Sequence, residues 1–163
     1  MWTLKTFSLC IVLFVTIWNC VTAEPQLHTA ADGTKFYIEI EGEYNWFQAL
    51  HECARRGYQL VEVHSGKKNK VLLNALDSFF GKPYNLWLGA NDEFNSDRDF
   101  NRPFYWASSG KRMTFSNWSS NNPDNFRSEE HCVHTWAARE PFAWNDASCT
   151  SKMGYICEER PLA

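Results

Sequence analysis

From Asn91 to Glu130 the sequence has almost no hydrophobic periodicity, and any fold for this chain must accommodate that stretch. It is dense in Asn, Ser, Asp, Gly and Pro, with brief apolar runs only at 103–106 and 113–115. A connection of this length without helix or sheet is either disordered or functional, because its backbone pattern builds no core. A bound ion would supply the missing organisation. The residues able to hold one stand at the far end and just beyond: Asn122 and Asp124 around Pro123, Glu130 ahead of Cys132, and Asn145 and Asp146 behind Trp144. All five offer oxygen, three as carboxylates and two as amides. Hard oxygen ligands in such number suit calcium, which takes about 6–8 of them in a tolerant geometry. Taken singly, each piece also fits a turn-rich surface loop; their order, spacing and flanking cysteines together favour the ion. An Asn–Pro bond can adopt the cis form at modest cost and would then turn Asn122 and Asp124 to one side. Asn145 and Asp146 are consecutive, so on a regular strand they point apart. Both reach one ion only if Asp146 also offers its backbone carbonyl, or if the strand breaks there.

The rest of the chain reads as one domain behind a leader. Residues 1–23 combine Lys5, an apolar run from Leu9 to Trp18, and small residues at Val21, Thr22 and Ala23, the pattern of a secretory signal peptide. The run is short for a bilayer span and no second one follows, so no membrane anchor is expected and the protein is expected to be secreted. Residues 24–163 then form a single domain. Loss of Lys5 takes the net charge from −3 to −4. No basic stripe is present, which argues against nucleic acid as a partner. Cys53, Cys132, Cys149 and Cys157 remain, an even count that in a secreted chain predicts two disulfides in any of three pairings.

Thr34 to Ile40 has the composition of an opening strand. Tyr44 to Arg56 shows a helical period with Trp46, Phe47, Leu50, Cys53 and Ala54 on its stripe and Gly57 as a stop. A second helix runs from Lys67 to Phe80 on Val71, Leu72, Ala75, Leu76 and Phe79. Lys67, Lys68 and Lys70 oppose its dipole and read as a solvated end. Short strands follow at 131–136, 142–145 and 154–159. Trp106, Trp118, Trp136 and Trp144 are assigned to the core, the usual place of an aromatic at strand spacing. The segment from Glu24 to Gly33 is too short and polar for a heptad neck, so no coiled-coil self-association is encoded.

The segment from Trp118 to Pro123, Glu130 before a cysteine, and Trp144-Asn145-Asp146 before another cysteine resemble the C-type lectins. The likeness is to a single carbohydrate-recognition domain of invertebrate type. It implies an α+β fold of two helices, small antiparallel sheets and a long calcium-organised loop region. Leu86 to Ala90 becomes the central core strand, with Trp87 and Gly89 matching the family's motif. The resemblance also implies the disulfides Cys53–Cys157 and Cys132–Cys149, each contributing about 3–4 kcal/mol on loop-entropy grounds. It implies that Asn122, Asp124, Glu130, Asn145 and Asp146 bind calcium, Asp146 through side chain and carbonyl, and that the calcium binds a sugar directly. Two neighbouring hydroxyls can replace water on the ion, each still donating to a carboxylate and accepting from an amide. Asn122, Asp124, Glu130 and Asn145 are thereby placed against the sugar.

In that family an amide-then-acid order around the proline goes with galactose-type ligands, and Asn122-Pro123-Asp124 has this order. Phe126 stands where galactose-type members often carry an aromatic, whose face can pack on the apolar face of the sugar. Galactose or N-acetylgalactosamine is therefore expected to bind better than mannose, on microbial or host glycans in innate defence. Asn122 departs from the Glu or Gln usual in sugar binders and is one methylene shorter. Asp92 and Glu130 match an auxiliary calcium site, but Asn125 and His131 replace its usual Asp residues, so one strongly bound calcium is expected.

The rival expectation keeps the fold and gives up the ion, leaving a lectin-like module that binds protein. Catalysis is not expected. His131 and His134 would face opposite sides of a strand. No His-Glu-x-x-His helix is present, and oxidised cysteines leave no thiol nucleophile. Asn117-Trp118-Ser119 is a glycosylation sequon, with Trp118 as a core residue hindering access.

Overall fold

A computed structural model describes residues 26–95, 99–138 and 142–160; residues 1–23, read as a signal peptide, lie outside these. In chain order the elements are β1 (Gln26–Thr29), β2 (Lys35–Tyr44), α1 (Trp46–Arg55), β3 (Tyr58–Leu60), α2 (Gly66–Phe80), β4 (Leu86–Asn91), β5 (Tyr105–Trp106), a 3-10 turn (Phe126–Ser128), β6 (Cys132–Thr135), β7 (Trp144–Ala147) and β8 (Met153–Glu159). The strands follow the order β1-β2-β8-β4-β6-β7, with β3 on β8 and β5 on β4. The α+β class and the two helices agree with the sequence reading.

The antiparallel ladders join through one parallel pairing, Leu86 with Gly154 and Trp87 with Tyr155. A glycine makes that junction possible. A Cβ on Gly154 would lie 2.2 Å from the Glu39 carbonyl oxygen and 2.7 Å from Leu86 Cδ2. Here β2, β8 and β4 approach as closely as a bare backbone allows.

The helices are set by their caps. Asn45 Oδ1 accepts from the Gln48 amide at 2.8 Å while Gln48 Oε1 accepts from the Asn45 amide at 3.0 Å, a reciprocal capping box. The buried stripe of α1 is Trp46, Ala49 and Cys53, narrower than expected. Phe47 is 41% exposed and Ala54 is exposed, because each sits about 100° around the helix from a buried neighbour. In α2 the Ser65 hydroxyl accepts from the Lys68 amide at 3.2 Å, and Leu72, Ala75 and Leu76 face inward. Lys68 is not simply solvated: its ammonium pairs with the buried Glu158 at 2.5 Å. Lys67 and Lys70 are exposed as expected.

Strand alternation sorts the core into two clusters. Leu86, Leu88, Ala90 and Ile156 face α2, together with Leu72 and Leu76. Trp87, Tyr155 and Cys157 face α1, together with Trp46, Ala49 and Cys53. Both disulfides belong to the second cluster, Cys53–Cys157 and Cys132–Cys149, with Cα separations of 5.5 and 5.2 Å. The pairing is the one the resemblance implied. The long loop has an anchor that sequence periodicity did not reveal. Trp106 and Trp118 both pack edge-on against the buried Trp144, at centroid distances of 6.3 and 6.1 Å.

Replacing Gly154 by Ala is expected to destabilise the protein by at least about 1–3 kcal/mol, the range for overpacking, since the obstructing atoms are backbone and a buried leucine. Urea unfolding of Gly154→Ala should show a lower midpoint at unchanged slope.

Candidate functional site

The loop meets the sheet at a cluster of carboxylates. Asp124, Glu130 and Asp146 each bring an oxygen within 4.8 Å of the others. Asp146 is fully buried on β7, and the loop hangs from it. Its Oδ1 accepts from the Asp124 amide at 3.1 Å, and its Oδ2 accepts from the Asn125 amide at 2.7 Å and from Arg102 Nη2 at 2.5 Å. Asn125 adopts a left-handed backbone with φ of 44°, which lets consecutive amides converge on one carboxylate. Its own Oδ1 accepts from the Glu130 amide at 3.0 Å. The Asn122–Pro123 bond is cis, and Asn122 and Asp124 line the same cleft.

That cleft, of about 240 Å³, gathers Asn122, Asp124, Glu130 and Asn145 from the expected set, with Phe126 at its edge. Asp146 lies buried behind them. Trp136, assigned from sequence to the core, is instead half-buried and lines the cleft with Ser120 and Asn121. It sits just past the end of β6, where strand alternation no longer dictates its direction.

β7 stays regular through the two adjacent ligand candidates, with Asp146 opposite Val133 and Asn145 opposite His134. No strand break brings Asn145 and Asp146 together. Instead the Asn145 amide folds back: Nδ2 makes a short contact with the Asp146 carbonyl and donates to His134 Nε2 at 3.2 Å. His134 donates from Nδ1 to the Thr135 carbonyl at 2.7 Å, so its Nε2 is an acceptor. Burial pushes its pKa down to about 4, which keeps the ring neutral. Two acceptors claiming Nδ2 settle which end of the amide is nitrogen, and the Asn145 Oδ1 is left for an ion. Asn122 is turned likewise, its Nδ2 donating to Ser119 Oγ at 2.7 Å. The cleft is thus furnished with oxygens, the donor chemistry that calcium takes.

Electrostatics supports the same fit. The Glu130 carboxyl is pushed up to about 7, first by burial and then by the charge of Asp146 beside it; the Phe126 amide pulls the other way. A half-buried acid whose ionisation is opposed by burial and by a neighbouring carboxylate is a site that a divalent cation would relieve. Asp92 faces elsewhere: its carboxylate meets Arg102 Nε at 2.8 Å and His131 Nδ1 at 3.0 Å.

Residues 42–159 match the Lectin C-type domain. This chain belongs to the C-type lectin family. It is 49% identical over 147 residues to lectin subunit alpha of Sarcophaga peregrina, across 90% of this chain and 52% of that protein; it therefore spans about half the relative's length. Salivary C-type lectin 2 of Aedes albopictus is 34% identical over 121 residues, across 71% of this chain and 77% of the relative. Among solved structures, the carbohydrate-recognition domain of cow CD23, determined in the presence of a GlcNAc2Man3 oligosaccharide, superposes with a TM-score of 0.61. It is 25% identical and covers 80% of this chain and 90% of its own. The matched domain and the named relatives are lectins, a class of carbohydrate-binding proteins and not of enzymes. No helix among the described residues is long and apolar enough to cross a membrane.

An ion held by the Glu130 carboxylate would have to expel its proton. Because the folded pKa lies above the ordinary glutamate value, Glu130 favours the ion-free fold below that value and loses this contribution as pH rises through about 7. Calcium affinity should therefore climb up to about tenfold per unit approaching pH 7 and level off above it. Calorimetry in two buffers of different ionisation enthalpy should show proton release near pH 6. A flat affinity from pH about 5.5 to 8 would contradict this assignment.

Proposed function

We propose that this C-type lectin is a secreted, calcium-dependent sugar binder preferring galactose or N-acetylgalactosamine. The observation that carries the reading is the furnishing of the cleft. Three carboxylates converge within 4.8 Å, while Asn122 and Asn145 turn their nitrogens into the protein and their oxygens free. Asn122, Asp124, Glu130, Asn145 and Asp146 would hold one calcium. When bound, the ion supplies a positive centre on which two adjacent sugar hydroxyls replace water. The chain's own groups then read those hydroxyls. Asp124 and Glu130 would accept hydrogen bonds from them. Asn122 keeps one N–H beyond its bond to Ser119 and can donate it, whereas both N–H groups of Asn145 are already engaged.

This distribution supports the galactose-type order. With the amide before the proline and the acid after it, the donor side of the cleft is Asn122, so the favoured diol presents its acceptor there. Phe126 is 52% exposed at the rim, with the Arg127 guanidinium over its ring at 5.1 Å. An open ring face can pack on the apolar face of galactose for about 1 kcal/mol. Microbial or host glycans in innate defence are the proposed targets, and neither nucleic acid nor a membrane anchor enters the reading. The rival, a protein-binding module, draws on the exposed pair Phe47 and Phe94, 41% and 59% exposed and stacked at 6.3 Å.

Asn117 is proposed to be unmodified. Its Nδ2 donates to the Phe142 carbonyl at 3.3 Å, and the Ser119 of its sequon is buried. Intact mass should not change on glycosidase treatment.

A galactose column should retain the protein in calcium and release it to chelator, with galactose competing better than mannose. The double change Asn122→Glu with Asp124→Asn should shift the preference to mannose. Elution by mannose with indifference to galactose would sink the order rule. Retention that ignores chelator would instead favour the protein-binding module.

A further inference from the structure

Arg102 lies in the aperiodic loop, yet its side chain is completely buried. Its guanidinium donates from Nε to Asp92 Oδ2 at 2.8 Å, and from Nη2 to Asp146 Oδ2 at 2.5 Å and to the Glu130 carbonyl at 3.1 Å. It also lies 4.8 Å from the centroid of the Phe104 ring. The three oxygen acceptors come from three separate places: the residue after β4, the residue two before β6, and β7 itself. Two carboxylates and a backbone carbonyl around one positive charge is the arrangement a hard cation gathers. Among the described residues Nη1 has no hydrogen-bond partner, so the guanidinium is buried at some cost to its own hydrogen bonding. What it supplies is charge and a rigid fork that spans Asp92 and Asp146 together.

We propose that Arg102 is a positioning residue for the sugar-binding ion. It is a cation built into the chain that fixes the Asp146 carboxylate and the Glu130 backbone before calcium arrives, in a place where a second metal ion would otherwise be needed. Asp146 carries the Asp124 and Asn125 amides on the same two oxygens. Fixing it therefore fixes the loop segment that holds Asp124, and the hold on the Glu130 carbonyl places the third carboxylate. This inference rests on the calcium-dependent reading above.

The test turns on a sign. A guanidinium beside a calcium ligand repels the ion, so if its charge were all that mattered, removing it would tighten calcium binding. If Arg102 acts by positioning, removing it weakens calcium binding, by about 10–100-fold as for other groups that orient metal ligands. Arg102→Met alone leaves Asp92 and Asp146 facing each other without a counter-charge and can fail to fold. The double change Arg102→Met with Asp92→Asn removes that repulsion, and Arg102→Lys keeps the charge without the fork.

Calcium titration by calorimetry on the whole secreted protein should give one site in the wild type. The double variant should bind about 10–100-fold more weakly and Arg102→Lys by an intermediate amount. In chelator, proteolysis across residues 91–130 should be at least about tenfold faster in the double variant than in the wild type, with millimolar calcium restoring protection. A double variant that binds calcium as tightly as the wild type, or more tightly, overturns the proposal. If that variant does not fold, Arg102→Lys decides, and a wild-type affinity there overturns it. A wild-type protein that binds no calcium overturns the calcium reading and this inference together.

Discussion

The carboxylate of Asp146 is where sheet and loop become one structure. It is buried on a regular strand and accepts from two consecutive loop amides and from a buried guanidinium. Bonds to an ionised acceptor are roughly twice as strong as neutral ones, and inside the protein the alternative is an unpaired charge, which is worse than either. A loop with no hydrophobic pattern of its own thereby acquires a fixed point. The left-handed turn at Asn125, the hydrogen bond that Asn125 Oδ1 accepts from the Glu130 amide and the placement of Asp124 all fit what that carboxylate demands of its neighbours.

The sheet in turn is arranged to hold β7 still. Trp144 and Ala147, at the two ends of β7, are buried in different core clusters, and Trp144 receives Trp106, Phe115 and Trp118 edge-on. The Cys132–Cys149 bridge joins β6 to the segment after β7 across a short span of 17 residues. The Cys53–Cys157 bridge, of separation 104, ties α1 to the hub strand. The short bridge stiffens the ligand-bearing pair of strands, while the long one limits the unfolded chain as a whole. Rigid support of this kind suits a site whose ligand oxygens must be in place before binding.

The legible parts of this protein in its sequence were those in which a residue's chemistry or period speaks alone. Asn122, Asp124, Glu130, Asn145 and Asp146 stand out because five oxygen-bearing side chains recur close to Cys132 and Cys149. Both helices stand out because their apolar residues recur at helical spacing, and the opening strand because Thr34 to Ile40 is rich in β-favouring residues. Arg102 and His134 were illegible for the opposite reason. Arg102 meets partners 10, 28 and 44 residues away, and His134 meets Asn145 only across the β6–β7 pair. Nothing local distinguishes either from a surface arginine or a core histidine. Trp136 was misassigned because composition cannot tell a tryptophan filling a core from one walling a cleft. Phe47 was misassigned because an apolar residue beside a helical stripe looks like part of it.

The cleft is polar and open, and the protein has already spent both N–H groups of Asn145 and one of Asn122 on itself. On the proposed reading, a sugar there would meet the remaining N–H of Asn122, carboxylate oxygens, the ion and the flanking aromatics, too few contacts to offset the cost of immobilising a small flexible ligand by much. Affinity for one monosaccharide would then be low, and useful strength would come from engaging several sugars at once. The exposed aromatic pair Phe47 and Phe94 does not line the cleft, so contacts made through it would leave the sugar site free to act in parallel with others.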